Sequence, residues 1–85
     1  MFRNSSYFVD LGMNYYDSGE YEKAIKAYKK AIRKNPDEDL AHFALGLTYT
    51  KLRKRQEANG AYKQASKINS LWEGHASFMK DLDKE

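Results

Sequence analysis

The stretch LGMNYYDSGEYEKAIKAYKKAIRKN, residues 11–35, returns as LGLTYTKLRKRQEANGAYKQASKIN at residues 45–69. A shift of 34 residues superposes Leu11 on Leu45, Gly12 on Gly46, Tyr15 on Tyr49, Ala24 on Ala58, Tyr28 on Tyr62, Ala31 on Ala65 and Asn35 on Asn69. Self-similarity at such a period marks a repeat architecture, in which one supersecondary unit buries its apolar face by stacking on the next. The spacing inside the unit says what the unit is. Phe8, Leu11, Gly12 and Tyr15 fall at i, i+3, i+4 and i+7, one face of a 3.6-residue period, and Tyr21, Ala24, Ile25, Tyr28, Ala31 and Ile32 form a second such face. Ser18-Gly19-Glu20 separates the two helices. Asn35-Pro36-Asp37 ends the second, because proline disfavours helix at the residue before it.

Gly12 costs about 1 kcal/mol against Ala inside a helix, so its return as Gly46 predicts a close approach of two helix backbones there. Small residues face large ones: Gly12, Ala24 and Ala31 leave room for Phe8, Tyr15 and Tyr28. The pattern Leu-Gly-x-x-Tyr, then Ala, an aromatic and Ala at a period of 34, resembles the tetratricopeptide repeat. The first copy, residues 5–38, and the second, residues 39–72, cover 68 of 85 residues. The second departs from the family pattern at His42, at Arg53 in place of the turn glycine, at Arg55 in place of the turn aromatic, and at Ser70 in place of the closing proline. The resemblance implies an all-α fold, an α-α superhelix of two antiparallel helix pairs in a single domain.

A fifth helix, residues 71–84, is expected to close the stack. Ser70-Leu71-Trp72-Glu73 reads as a capping box, and Leu71, His75, Phe78, Met79 and Leu82 would share one side of the helix that follows. Repeat arrays need such a cap over the apolar flank of their last unit.

In proteins similar to this one the first helix of each pair lines a concave groove that holds a peptide or a partner's helix. On this chain that assigns Ser6, Val9, Met13, Tyr16 and Asp17 of the first helix and Leu40, Phe43, Leu47, Thr50 and Lys51 of the third. Val9, Met13, Phe43 and Leu47 are apolar where solvent alone would favour charge, so they either pack within the superhelix or wait for a partner. One branch of the family grips a ligand's C-terminal carboxylate through Lys, Asn and Arg. Here Val9 and Met13 occupy the Lys and Asn sites and Ala44 the next Asn site, so the implied ligand is an apolar peptide segment or amphipathic helix of another protein. Self-association through the open flank of the first helix, with Phe2 and Tyr7, is the alternative partner.

Charge supplies a rival reading. The net charge is +3, but residues 21–67 hold twelve Lys/Arg and five Asp/Glu, so the middle is basic and the ends acidic. Lys23, Lys26, Lys30, Arg33 and Lys34 line the outer side of the second helix, and Lys51, Arg53, Lys54 and Arg55 form a basic patch at the second turn; together they offer a surface for phosphates or for an acidic protein, the turn patch being the better candidate. A solvated convex face accounts for the former, with Arg33 and Lys34 favoured by the helix dipole. No nucleic-acid motif accompanies either cluster, so nucleic acid is an unfavoured partner.

The chain has no Cys, which excludes disulfides and thiolate sites. His42, expected in the core, and His75 show no ligand-type spacing. No phosphate-cradling glycine loop, HExxH or GxSxG occurs. No catalytic, metal or cofactor site is therefore expected. The run Asp37-Glu38-Asp39 reads as a helix start. No run of about 18 apolar residues exists to span a membrane, and the cytoplasm is the default location.

Overall fold

A computed structural model of the chain describes residues 3–73. Its regular elements are α1 (Ser5–Asp17), α2 (Tyr21–Lys34), α3 (Asp39–Lys51) and α4 (Arg55–Ile68), followed by a 3-10 turn, Ser70–Trp72. Every regular element among the described residues is helical. α1 packs on α2 and α3 on α4, α2 joins the pairs by packing on α3, and α1 touches α3. This is the architecture of stacked helix pairs that the 34-residue period implies.

Both turns within a pair have the same geometry, although their sequences differ. In the first, Gly19 N–H donates to the Tyr16 carbonyl (3.0 Å) and Glu20 N–H to that of Tyr15 (2.8 Å). In the second, Arg53 N–H donates to the Thr50 carbonyl (3.0 Å) and Lys54 N–H to that of Tyr49 (2.9 Å). This pattern, with a left-handed residue just past the helix end, is the Schellman motif. Gly19 adopts it at φ +79°, and Arg53 is forced to the same region at φ +60°. A side chain there meets steric resistance that glycine escapes.

The exits from α2 and α4 also match. Asn35 Oδ1 accepts from Asp37 N–H and Asn69 Oδ1 from Leu71 N–H, each at 3.1 Å. These are Asx turns, which let a short amide side chain replace a backbone turn partner. Asn69, rather than Ser70, thus caps the segment after α4, and that segment is a 3-10 turn. Leu71, expected on the inner side of a closing helix, is 82% exposed. The rest of that helix, beyond Glu73, lies outside the described residues, as do His75 and Phe2.

The core runs between the pairs. Ala24, Ala31, Ala41, Ala58 and Ala65 are fully buried, and around them pack Ile25, Tyr28, Leu45, Tyr49 and Tyr62. The repeated glycines have a physical cause other than backbone meeting backbone. A Cβ on Gly12 would stand 2.5 Å from Cε1 of Tyr28, and one on Gly46 would stand 2.8 Å from Cε1 of Tyr62. In each copy the tyrosine ring of the second helix lies against the bare backbone of the first. The mid-helix hydroxyl of Thr48 is buried without penalty because it donates to the Ala44 carbonyl at 2.8 Å, one turn back. His42, expected in the core, is half-buried instead, with Nε2 3.0 Å from the Pro36 carbonyl.

Candidate functional site

Between α1 and α3 lies a cavity of about 300 Å³. α1 supplies Met13, Tyr16 and Asp17 to its wall, and α3 supplies Leu40, Phe43, Ala44 and Leu47. Tyr28 of α2 and Trp72 of the 3-10 turn complete it among the described residues. Met13, Leu40 and Leu47 are large apolar side chains left exposed on the first helices of the two pairs. A helical residue pays for such exposure in solvent, and their grouping around one concavity gives it a common cause.

Trp72 is held from two sides. Its ring stacks on Phe43, with centroids 4.1 Å apart and planes 17° from parallel. Its Nε1–H donates to Asp39 Oδ2 at 2.9 Å, and Asn69 Nδ2 donates to the same oxygen at 2.9 Å. These two bonds to the ionised form hold the Asp39 carboxyl below its usual range, the Trp72 bond contributing most. Asp39 also opens α3, where the helix dipole favours a negative charge. The same positions meet in the first copy, where Ser5 Oγ donates to Glu38 Oε1 at 2.7 Å. Residue 1 of each first helix thus receives the last residue of the turn that follows its partner helix.

The polar groups at the cavity are few. Tyr28 is 1% exposed, and burial, reinforced by the nearby Asp17 charge and Tyr16, pushes its phenol up to about 12. It stays neutral across the physiological range. Tyr16 sits edge-on to Tyr21, with ring centroids 5.4 Å apart, and Asp17 is exposed. The wall can therefore hold apolar groups and offer a carboxylate and hydroxyls. Among the described residues no group of His, Cys, Asp or Glu could hold a metal ion.

Not every residue assigned by helical spacing reaches this cavity. Val9 is 3% exposed and packs with Ala31 and Ala41 in the core, so it is no part of the groove surface. The two fully buried alanines let α2 and α3 close over it. Thr50 is half-buried, donating to the Gly46 carbonyl at 2.9 Å and lying 3.4 Å from the Tyr62 hydroxyl. Ser6 and Lys51 are exposed but do not border the cavity. Lys51, Arg53, Lys54 and Arg55 are all exposed at the turn between α3 and α4, away from the cavity wall.

Three wall residues escaped the helical-spacing argument. The sequence pattern places Tyr28 only in the core, and Ala44 only at an absent carboxylate clamp. The capping-box pattern places Trp72 in a cap. The 34-residue register carries a signal for it, since Trp72 stands where Glu38 stands, one position before a first helix, after an Asn shared by both copies.

Two helix pairs in register, with a concavity between their first helices, define a helical-repeat protein of the kind that works by binding other proteins. Residues 12–52 match the family model described as TPR repeat, and with the register of both copies the chain belongs to the tetratricopeptide-repeat family. It is 30% identical over 66 residues to Protein O-mannosyl-transferase Tmtc3 of Drosophila melanogaster, which covers 78% of this chain and 7% of that protein. It is 35% identical over 63 residues to Cilia- and flagella-associated protein 70 of Homo sapiens and of Macaca fascicularis, which covers 74% of this chain and 6% of each. The chain therefore spans a small fraction of these relatives, and the transferase activity in the name of the first is not carried over to it. No helix among the described residues is long and apolar enough to cross a membrane.

Proposed function

We propose that this chain is a non-catalytic adaptor module whose α1–α3 cavity takes an apolar peptide segment or the apolar face of a helix from another protein. The observation that carries this reading is the cavity itself. Met13, Leu40, Phe43, Leu47 and Trp72 converge on about 300 Å³, room for one or two large side chains, with Asp17 at the edge to orient a cation or amide on the ligand. Exposed Met and stacked aromatics supply contact area that adapts to a ligand's shape. Apolar walls offer phosphates nothing, so the site favours protein over nucleic acid. The turn patch Lys51, Arg53, Lys54 and Arg55 lies elsewhere.

Trp72 is the chain's single Trp and reports on the cavity directly. Peptides selected from a random displayed library against the chain should be rich in large apolar residues and should change Trp72 emission on binding. Met13→Glu with Leu47→Glu should weaken that binding at least ~30-fold, because two buried carboxylates each cost roughly 1–3 kcal/mol of desolvation. Selected peptides without apolar residues, or unchanged affinity in a variant that keeps its helical circular dichroism, would overturn the reading.

A further inference from the structure

A second surface separates the two copies of the repeat. In the second copy Leu45 and Tyr49 are 7% and 9% exposed, in one cluster with Ile25 and Tyr28 of α2, against which Ile32 also packs. In the first copy the equivalent residues, Leu11 and Tyr15, are only half-buried. They form, with Ala27, the floor of a groove of about 250 Å³ between α1 and α2, rimmed by Lys23, Lys26 and Lys30. The repeat therefore shows what such a surface is built to accept, a helix carrying large apolar residues at α2-like spacing.

The rim shows what charge that helix carries. The positions equivalent to Lys23, Lys26 and Lys30 in the second copy are Glu57, Gly60 and Gln64, so the repeat does not require cations there. Lys23 is paired with Glu20 at 3.0 Å and lies 5.7 Å from the centre of the Tyr15 ring. Lys30 lies 5.8 Å from the centre of the Phe8 ring. Among the described residues neither Lys26 nor Lys30 has a carboxylate at salt-bridge distance. Three ammonium groups thus overhang an apolar floor that is covered in the sister copy.

Packed through its described residues, a second copy of this chain is a poor occupant. Two such faces brought together would oppose their lysines. A head-to-tail stack would present α4, which has Asn59 and Ser66 where α2 has Ile25 and Ile32, and which carries Arg55, Lys63 and Lys67 against a single acid, Glu57. That helix lacks both the apolar residues and the sign of charge. We infer that the α1–α2 flank docks an acidic amphipathic helix of another protein, its apolar residues on Leu11 and Tyr15 and its carboxylates on Lys23, Lys26 and Lys30. Complementary charge around an apolar centre sets the partner's sign and speeds its capture. This surface is distinct from the α1–α3 cavity, and neither proposal depends on the other.

The probe is a 14-residue peptide with the sequence of α2 in which all six Lys/Arg are Glu, labelled for fluorescence anisotropy. The native-charge peptide serves as control. The acidic peptide should bind with a Kd below ~1 mM and weaken on raising salt from ~0.05 to ~0.5 M, and the control should bind at least ~10-fold more weakly. Lys26→Glu with Lys30→Glu, both exposed and tolerant of exchange, should cost at least ~10-fold. Met13→Glu with Leu47→Glu should leave this affinity unchanged. Amide shifts in the two-dimensional NMR spectrum should cluster at Leu11, Tyr15 and residues 23–30. No binding at ~1 mM, equal affinity for both peptides, or loss on changing the cavity but not the flank would each overturn the proposal. So would salt-dependent binding of single-stranded RNA in place of the peptide.

Discussion

Alanine in place of Gly12 and alanine in place of Gly60 should have opposite effects, although both glycines lie inside helices. Gly60 has nothing within 4 Å of an added Cβ, so Gly60→Ala returns the ordinary helix-propensity difference, a stabilisation of about 1 kcal/mol. At Gly12 the same gain meets the Tyr28 ring. The Cβ would stand 2.5 Å from Cε1, 2.7 Å from Cδ1 and 2.9 Å from Cζ. Ordinary contact begins at 3.4 Å, so the ring must retreat by about 0.9 Å. Tyr28 is 1% exposed and shares its cluster with Ala24, Ala44, Leu45 and Tyr62, so its ring retreats only by displacing these neighbours or by entering the cavity it borders. Overpacking of this kind costs about 2–3 kcal/mol, which leaves a net loss of about 1–2 kcal/mol after the propensity gain. A chain of this size loses roughly 4–8 °C of Tm per kcal/mol, so Gly12→Ala should melt some ~5–15 °C lower and Gly60→Ala about 5 °C higher. Helical circular dichroism during thermal and urea unfolding reads both. Adding Tyr28→Leu should make the cost of Gly12→Ala vanish, because the two residues share one space. Equal signs at the two glycines, or additivity of Gly12→Ala with Tyr28→Leu, would refute the packing account.

Arg53 holds a left-handed backbone at φ +60° where the first copy has Gly19. Arg53→Gly should therefore stabilise the fold by about 0.5–1 kcal/mol, the release of left-handed strain less the added freedom of the unfolded chain, and urea midpoints will show it. The Asp39 carboxyl is held below its unfolded range by Trp72 and Asn69. Its contribution to stability is therefore complete above about pH 4 and is lost as pH falls through its lower folded value. Trp72 emission should shift to the red across that acid window, whereas Asp39→Ala should be red-shifted already at neutral pH and show no such step.

The fold was legible because the period of 34 residues is a global signal that single departures do not disturb. Arg53 and Arg55 replace the turn residues of the second copy, yet the Schellman bonds form there as in the first. Turn geometry at these positions is held by packing on both sides, and the local preference of one arginine is too weak to oppose it. The groove was less legible, and Val9 shows why. Helical spacing places Val9 and Met13 one turn apart on the same side of α1, but spacing cannot say how near the neighbouring helices come. Opposite Val9 stand Ala31 and Ala41, both fully buried, and the helices close. Around Met13 stand Tyr16, Phe43 and Leu47, too large for the helices to close, and the cavity begins.

Trp72 is the case in which register and site meet. Asn35 and Asn69 leave their helices with nearly the same backbone angles, φ −146° and −144°, and each folds its own side chain onto the second residue beyond. The residue after that is Glu38 in one copy and Trp72 in the other. Glu38 reaches back to Ser5, and Trp72 reaches back to Asp39, so the same turn aims two different side chains at the start of the first helix of its own copy. Glu38 makes one hydrogen bond there. Trp72 keeps that link through its Nε1–H and also lays an indole over Phe43, extending the cavity wall past the end of α4. The exchange of an acid for a Trp at one repeat position thus turns an ordinary link within a copy into part of the cavity wall.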